Sequence, residues 1–135
     1  MSSEHALFIF DGPPKNHIRV CLESLRKVNA KCNIYFYYSN PLMKFKLRGL
    51  NINFIKIDQK IGKGRPQFYK ILMTHNLVSN LPEEQKVLAL DNDMLFQDDP
   101  FLMFKEFPNN DFYYTRSILS KPESMRPEKI WKSVK

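Results

Sequence analysis

The strand-like segments of this sequence are apolar residue after residue, where a strand with one wet face would alternate. ALFIF (Ala6–Phe10) and VLAL (Val87–Leu90) are unbroken apolar runs. Such a run needs cover on both faces, which in practice means a mostly parallel sheet between helical layers. The connecting segments fit that demand. Ile18, Cys21, Leu22, Leu25 and Val28 recur at helical spacing, with Asn16 expected as N-cap and Arg26, Lys27 and Lys31 toward the far end. Asn33–Tyr38 reads as a second strand, Pro41–Gly49 as a turn or short helix stopped at Gly49, and Asn51–Ile57 as a third strand. Gln67–Val78 is helical in pattern, with Phe68, Ile71, Leu72 and His75 expected on one face, and Leu81-Pro82-Glu83-Glu84 ends it. Val87–Leu90 is the fourth strand, Phe101–Phe107 a short amphipathic helix and Asp111–Ile118 a fifth strand. The order predicts an α/β domain with a mostly parallel sheet flanked by helices, whose ligands sit at the carboxyl ends of the strands.

Composition narrows the class further. The 135 residues are 43% hydrophobic and 26% charged, with 4 Gly and 9 Pro, which excludes collagen-like, disulfide-scaffold and disordered chains. No apolar run approaches the roughly 20 residues of a membrane span. The start, MSSEHALFIFDGPP, has no basic region ahead of its short apolar run, so a cytoplasmic protein is expected. Cys21 and Cys32 sit at no metal-ligand spacing and read as reduced thiols. His5, His17 and His75 show no such spacing either. The formal charge is +7, and KPESMRPEKIWKSVK carries five Lys/Arg against two Glu. The remaining basic residues are scattered and no nucleic-acid module is recognisable, so nucleic acid is not an expected partner. Residues 1–118 are expected to form the domain and 119–135 a basic tail, with Trp131 a packing anchor in it.

Chemistry concentrates in KVLALDNDMLFQDDPFLMF. Asp91 and Asp93 stand two residues apart just past a buried strand, where a bend can aim both at one point. Two carboxylates, left partly open, suit Mg²⁺ or Mn²⁺ that also holds a ligand's phosphates. Asp pairs after strands also form turns and caps. An EF-hand loop is excluded, because position twelve counted from Asp91 is Leu102. A haloacid-dehalogenase-like phosphatase, with Asp91 as nucleophile, also places Asp-x-Asp after a strand. Its Gly-Thr/Val-Leu continuation is here Met94-Leu95-Phe96, and 42 residues after Asp93 are too few for its later motifs. Asp98 and Asp99 are expected outside any metal site, since Asp99-Pro100 reads as an N-cap with Pro at the first helical position. Gly62–Arg65 is a Gly-rich turn and no Walker loop, because no Gly-Lys-Ser/Thr follows.

LALDNDMLFQDDPFLMF resembles the DXD segment of retaining, GT-A-type glycosyltransferases, above all the glycogenin/lipopolysaccharide-galactosyltransferase group, glycosyltransferase family 8. FYKILMTHNL is similar to that family's aromatic-x-Lys/Arg-Leu/Ile helix ahead of the DXD strand, and the opening strand–loop–helix to its uracil-binding start. The likeness runs from Ala6 to about Thr115.

The resemblance implies a GT-A-like, metal-dependent transferase that moves a sugar from a nucleoside-diphosphate sugar to the hydroxyl of a glycan or protein acceptor. The donor would be a UDP-sugar first and a GDP-sugar second. By the same likeness Asp91 touches the ribose and, with Asp93, the Mn²⁺ or Mg²⁺ that bridges the diphosphate. Lys70 matches the cation that faces the phosphates or sugar, Phe10 and Asp11 mark where the base is held, and Arg65 is a further candidate phosphate contact. Family members continue past the DXD strand into an acceptor half with a late His. Here only the donor half is expected, truncated after the DXD region, with the acceptor site supplied by a missing segment or a partner chain. Pro13-Pro14 stands where the family's early loop has a Tyr. A non-catalytic module that binds a sugar nucleotide is the alternative.

Overall fold

The computed structural model describes residues 3–57 and 66–108. The expected fifth strand Asp111–Ile118, Arg65 with its Gly-rich turn, and the 119–135 tail with Trp131 lie outside them. The elements run β1 (Glu4–Phe10), α1 (Asn16–Val28), β2 (Asn33–Tyr38), α2 (Leu42–Lys46), β3 (Ile52–Lys56), α3 (Pro66–Asn80) and β4 (Lys86–Ala89). A 3₁₀ turn at Pro100–Leu102 leads into α4 (Met103–Glu106).

The four strands form one sheet in the order β3-β2-β1-β4, and every described pair is parallel. This is a Rossmann-like arrangement. The chain crosses from β1 outward to β2 and β3, then returns to place β4 on the far side of β1. The carboxyl ends of β1 and β4 therefore flank the point where strand order reverses.

The unbroken run of β1 is explained by strict alternation between two cores. On the β4 run Leu88 and Leu90 enter one core while Val87 is half-buried and Ala89 exposed, so among the described residues the expected cover on both faces is absent there. Ala6 and Phe8 of β1, Ile34, Phe36 and Tyr38 of β2, and Leu88 of β4 face a core completed by Ile18, Cys21, Leu22 and Leu25 of α1. Met43, Leu47, Phe96 and Phe101 close it. Leu7 and Ile9 of β1 and Tyr37 of β2 face the other side, under Tyr69 of α3. Phe8, Phe36 and Phe54 stand side by side across three strands, with ring centroids 6.3 and 6.4 Å apart. Fully burying one such side chain stabilises the fold by roughly 1.5–3 kcal/mol.

Two expectations need correction. Asn16 does not cap α1. Lys15 occupies the N-cap in extended conformation without a side-chain cap bond, and the Asn16 Oδ1 instead accepts from the Lys46 ammonium. The buried face of α3 is also different from the one expected. Tyr69, Met73 and Leu77 pack on the sheet, whereas Phe68 and Ile71 are 66% and 70% exposed and His75 is also exposed. This helix is apolar on more than one face, so spacing alone does not identify the side that meets the sheet.

Two local expectations match the structure, at Gly49 and at Asp99. The chain turns at Gly49 with φ +84°, a value that favours glycine. Both cysteines are free and buried. Asp99 caps the 3₁₀ turn, accepting from Phe101 N at 3.0 Å, with Pro100 at the first position.

Candidate active site

β1 ends at Phe10, and Asp11 follows it exposed to solvent. The Phe10 ring is half-buried, with His17 edge-on at 6.5 Å and the Lys15 ammonium 5.8 Å from its centroid. The next residue, Gly12, adopts φ +131°, and its N–H donates to Ser39 Oγ at 2.7 Å. That bond ties the loop after β1 to the end of β2.

The acidic turn sits at the end of β4, one strand away. Lys86 N donates to Ser3 O and Leu90 N to Leu7 O, both at 2.9 Å, after which the main chain leaves the sheet. Four side chains hold it there, one from α3, two from α1 and one from the turn itself. The Lys70 ammonium of α3 donates to Leu90 O at 2.7 Å and to Asp91 Oδ1 at 3.0 Å. The Asn92 amide reaches back to Ile9 O at 3.0 Å. On the opposite face, Cys21 Sγ of α1 lies 3.7 Å from Asp91 O. One turn along α1, Ser24 Oγ accepts from Phe96 N at 2.9 Å.

The electrostatics follow from this packing. Lys70 is largely covered, at 18% side-chain exposure, while Asp91 is open at 76%. The ion pair therefore has one largely covered and one wet partner, and the second Asp91 oxygen is left to solvent or a ligand. Asp93 is exposed as well. Burial pushes the Cys21 thiol up, opposed by the Met94 N–H and reinforced by the Asp93 and Asp91 charges. Cys21 thus stays a neutral thiol beneath two carboxylates.

Of the residues anticipated from sequence, the structure brings Lys70 to Asp91 and sets Asp93 two residues on. It places Phe10 and Asp11 at the end of the neighbouring strand, and among the described residues no hydrogen bond joins them to the acidic turn. Arg65 lies outside the described residues. Sequence reasoning missed Asn92, Cys21 and Ser24 as supports of the turn. Cys21 and Ser24 sit one helical turn from core residues of α1, which is a signal for facing inward but not for what they meet.

Two hard, negatively charged oxygen donors suit Mg²⁺ or Mn²⁺, which takes one or two carboxylates and fills its remaining positions with water and phosphate oxygens. Among the described residues no group of three or more His, Cys, Asp or Glu converges for a closed metal cage.

The sequence matches no protein-family profile and no curated protein. Among solved structures the chain is similar to an active-site mutant of LgtC, with 19% identity and a TM-score of 0.48. The match covers 79% of this chain and 42% of that one.

Proposed function

We propose that this chain binds a nucleoside-diphosphate sugar through a divalent cation and is the donor-binding part of a metal-dependent glycosyltransferase. The observation that carries the reading is the pair Asp91 and Asp93, both solvent-facing at the carboxyl end of β4 beside the sheet's reversal point, with the Lys70 ammonium 3.0 Å from Asp91. Open parallel sheets bind ligands at that place. The likeness of the LALDNDMLFQDDPFLMF segment to the glycosyltransferase DXD segment supports the same assignment.

In this reading Asp91 and Asp93 hold Mn²⁺ or Mg²⁺. When bound, the cation would neutralise negative charge on the departing diphosphate. Lys70 supplies a fixed positive charge beside it, already oriented by Leu90 O and so needing little rearrangement. Phe10 and Asp11 flank the side where a base would lie, uracil first and guanine second. The acceptor, a glycan or protein hydroxyl, would meet the donor on a surface completed by further residues or a partner chain.

Thermal denaturation tests the reading. A ligand that binds only the folded state adds about 2.7 kcal/mol of stability at a hundredfold excess over Kd. UDP or GDP with Mn²⁺ should raise the melting temperature, and EDTA should abolish the rise. No shift with any nucleoside diphosphate at millimolar concentration rules the function out.

A further inference from the structure

In a parallel ladder a strand bonds a given neighbour through every second residue. On β4 the series toward β1 includes Lys86 N to Ser3 O and Leu90 N to Leu7 O. Its next rung would run from Asn92 N to Ile9 O. The main chain has turned away by then, and the rung is made by the side chain instead: Asn92 Nδ2 donates to Ile9 O at 3.0 Å, across 83 residues of sequence. The ladder is extended by one bond while the backbone is released into the turn that carries Asp91 and Asp93.

We propose that Asn92 is a positioning residue for the cation site, its side-chain amide substituting for the missing rung so that the two flanking carboxylates are fixed before any ligand arrives. The inference rests on the reading that Asp91 and Asp93 hold a divalent cation. The chemistry of the position is narrow. The group must donate to a carbonyl, so a carboxylate of the same size sets oxygen against oxygen. A hydroxymethyl side chain is too short, and an apolar one leaves Ile9 O without this partner. Cys21 at Asp91 O and Lys70 at Leu90 O hold the preceding residues, so loss of the Asn92 bond frees chiefly the Asn92–Asp93 end of the turn.

Calorimetric titration of the full chain with Mn²⁺ alone, and with UDP plus Mn²⁺, tests this in wild type, Asn92→Ala and Asn92→Asp. All titrations run well below each protein's melting temperature. Outer residues that orient metal ligands typically change metal affinity by about 10–100-fold, and a loss of at least about tenfold is expected in both variants. The Asp variant separates geometry from charge. A third carboxylate on this turn would by charge alone tighten Mn²⁺ binding, whereas loss of the tether weakens it. Wild-type or tighter affinity in Asn92→Asp, or unchanged affinity in Asn92→Ala with only a lower melting temperature, overturns the positioning role. If wild type binds neither Mn²⁺ nor UDP–Mn²⁺, the cation reading itself fails, and this inference with it.

Discussion

Replacing Asp99 by Ala separates a structural carboxylate from a ligand carboxylate in the most acidic stretch of the chain. Asp99 accepts from Phe101 N at 3.0 Å, closing the turn that starts the last described helix. It also accepts from the Asn29 amide at 3.1 and 3.2 Å. Asn29 is only 8% exposed and keeps a second carboxylate partner, Glu4 Oε1, at 2.9 Å. Loss of a helix cap costs about 1 kcal/mol, and loss of one charge-assisted bond to a buried amide about 1–2 kcal/mol. The sum, about 2–3 kcal/mol, corresponds to a fall in melting temperature of roughly 7–10 °C at this chain length. Asn is nearly as good a cap as Asp and still offers an amide oxygen, so Asp99→Asn should lose less than half as much. Urea denaturation of both variants, with UDP–Mn²⁺ titration alongside, checks the reasoning. An Asp99→Ala protein of wild-type stability, or one of lower stability that also loses metal-dependent nucleotide binding, refutes it.

Two further outcomes follow from the packing. The Arg26 guanidinium donates to Leu50 O, Ala30 O, Cys32 O and Asn51 O at 2.7, 3.2, 2.6 and 2.7 Å, joining the end of α1 to the approaches of β2 and β3. Arg26→Ala should cost about 3 kcal/mol in urea denaturation, and Arg26→Lys should recover less than half, because an ammonium lacks the planar fork. Burial pushes the Cys32 thiol from 9.0 up to about 11 against the pull of Arg26. The folded form therefore holds this proton more tightly than the unfolded chain. Its contribution is complete below about pH 9 and is lost as pH rises toward 11, roughly 2–3 kcal/mol in all. Urea melts between pH 8 and 11 should show that decline, and Cys32→Ala should flatten it, leaving the smaller alkaline slope from Cys21 and Tyr37, which burial also raises.

What the sequence revealed and what it hid have physical reasons. β1 and β2 were legible because a strand buried on both faces admits few polar residues, and β2 runs from Asn33 to the end of its aromatic run at Tyr38. β4 was legible from its apolar tetrad, although Ala89 is exposed. The Asp99 cap was legible because Asp-Pro is a local signal that needs no tertiary context. The buried face of α3 was not legible. Phe68 and Ile71 point outward while Tyr69, Met73 and Leu77 point inward, so two overlapping apolar stripes compete and only the sheet decides between them. Asn16 met the compositional rule for a cap, but its oxygen found the Lys46 ammonium instead. In the candidate site the resemblance singled out Lys70 and Asp91 separately, as cation and carboxylate toward a ligand, and did not foretell that they pair with each other. The Asn92 tether was not legible either, because its role depends on which parity of β4 faces β1, and that register is set by pairing between segments more than 80 residues apart.

The central claim is that Asp91 and Asp93 form a cation-holding pair, and Asp93→Asn tests it most directly. The substitution preserves volume and replaces a charged oxygen by a weaker amide oxygen for a hard dication. It also removes a negative charge two residues from Asp91, so stability without ligand should stay equal or rise slightly. Calorimetric titration with UDP and Mn²⁺ should show binding in wild type and its loss in Asp93→Asn, with the metal-free melting temperature maintained. Wild-type affinity in Asp93→Asn would contradict the account and leave Asp93 a turn residue.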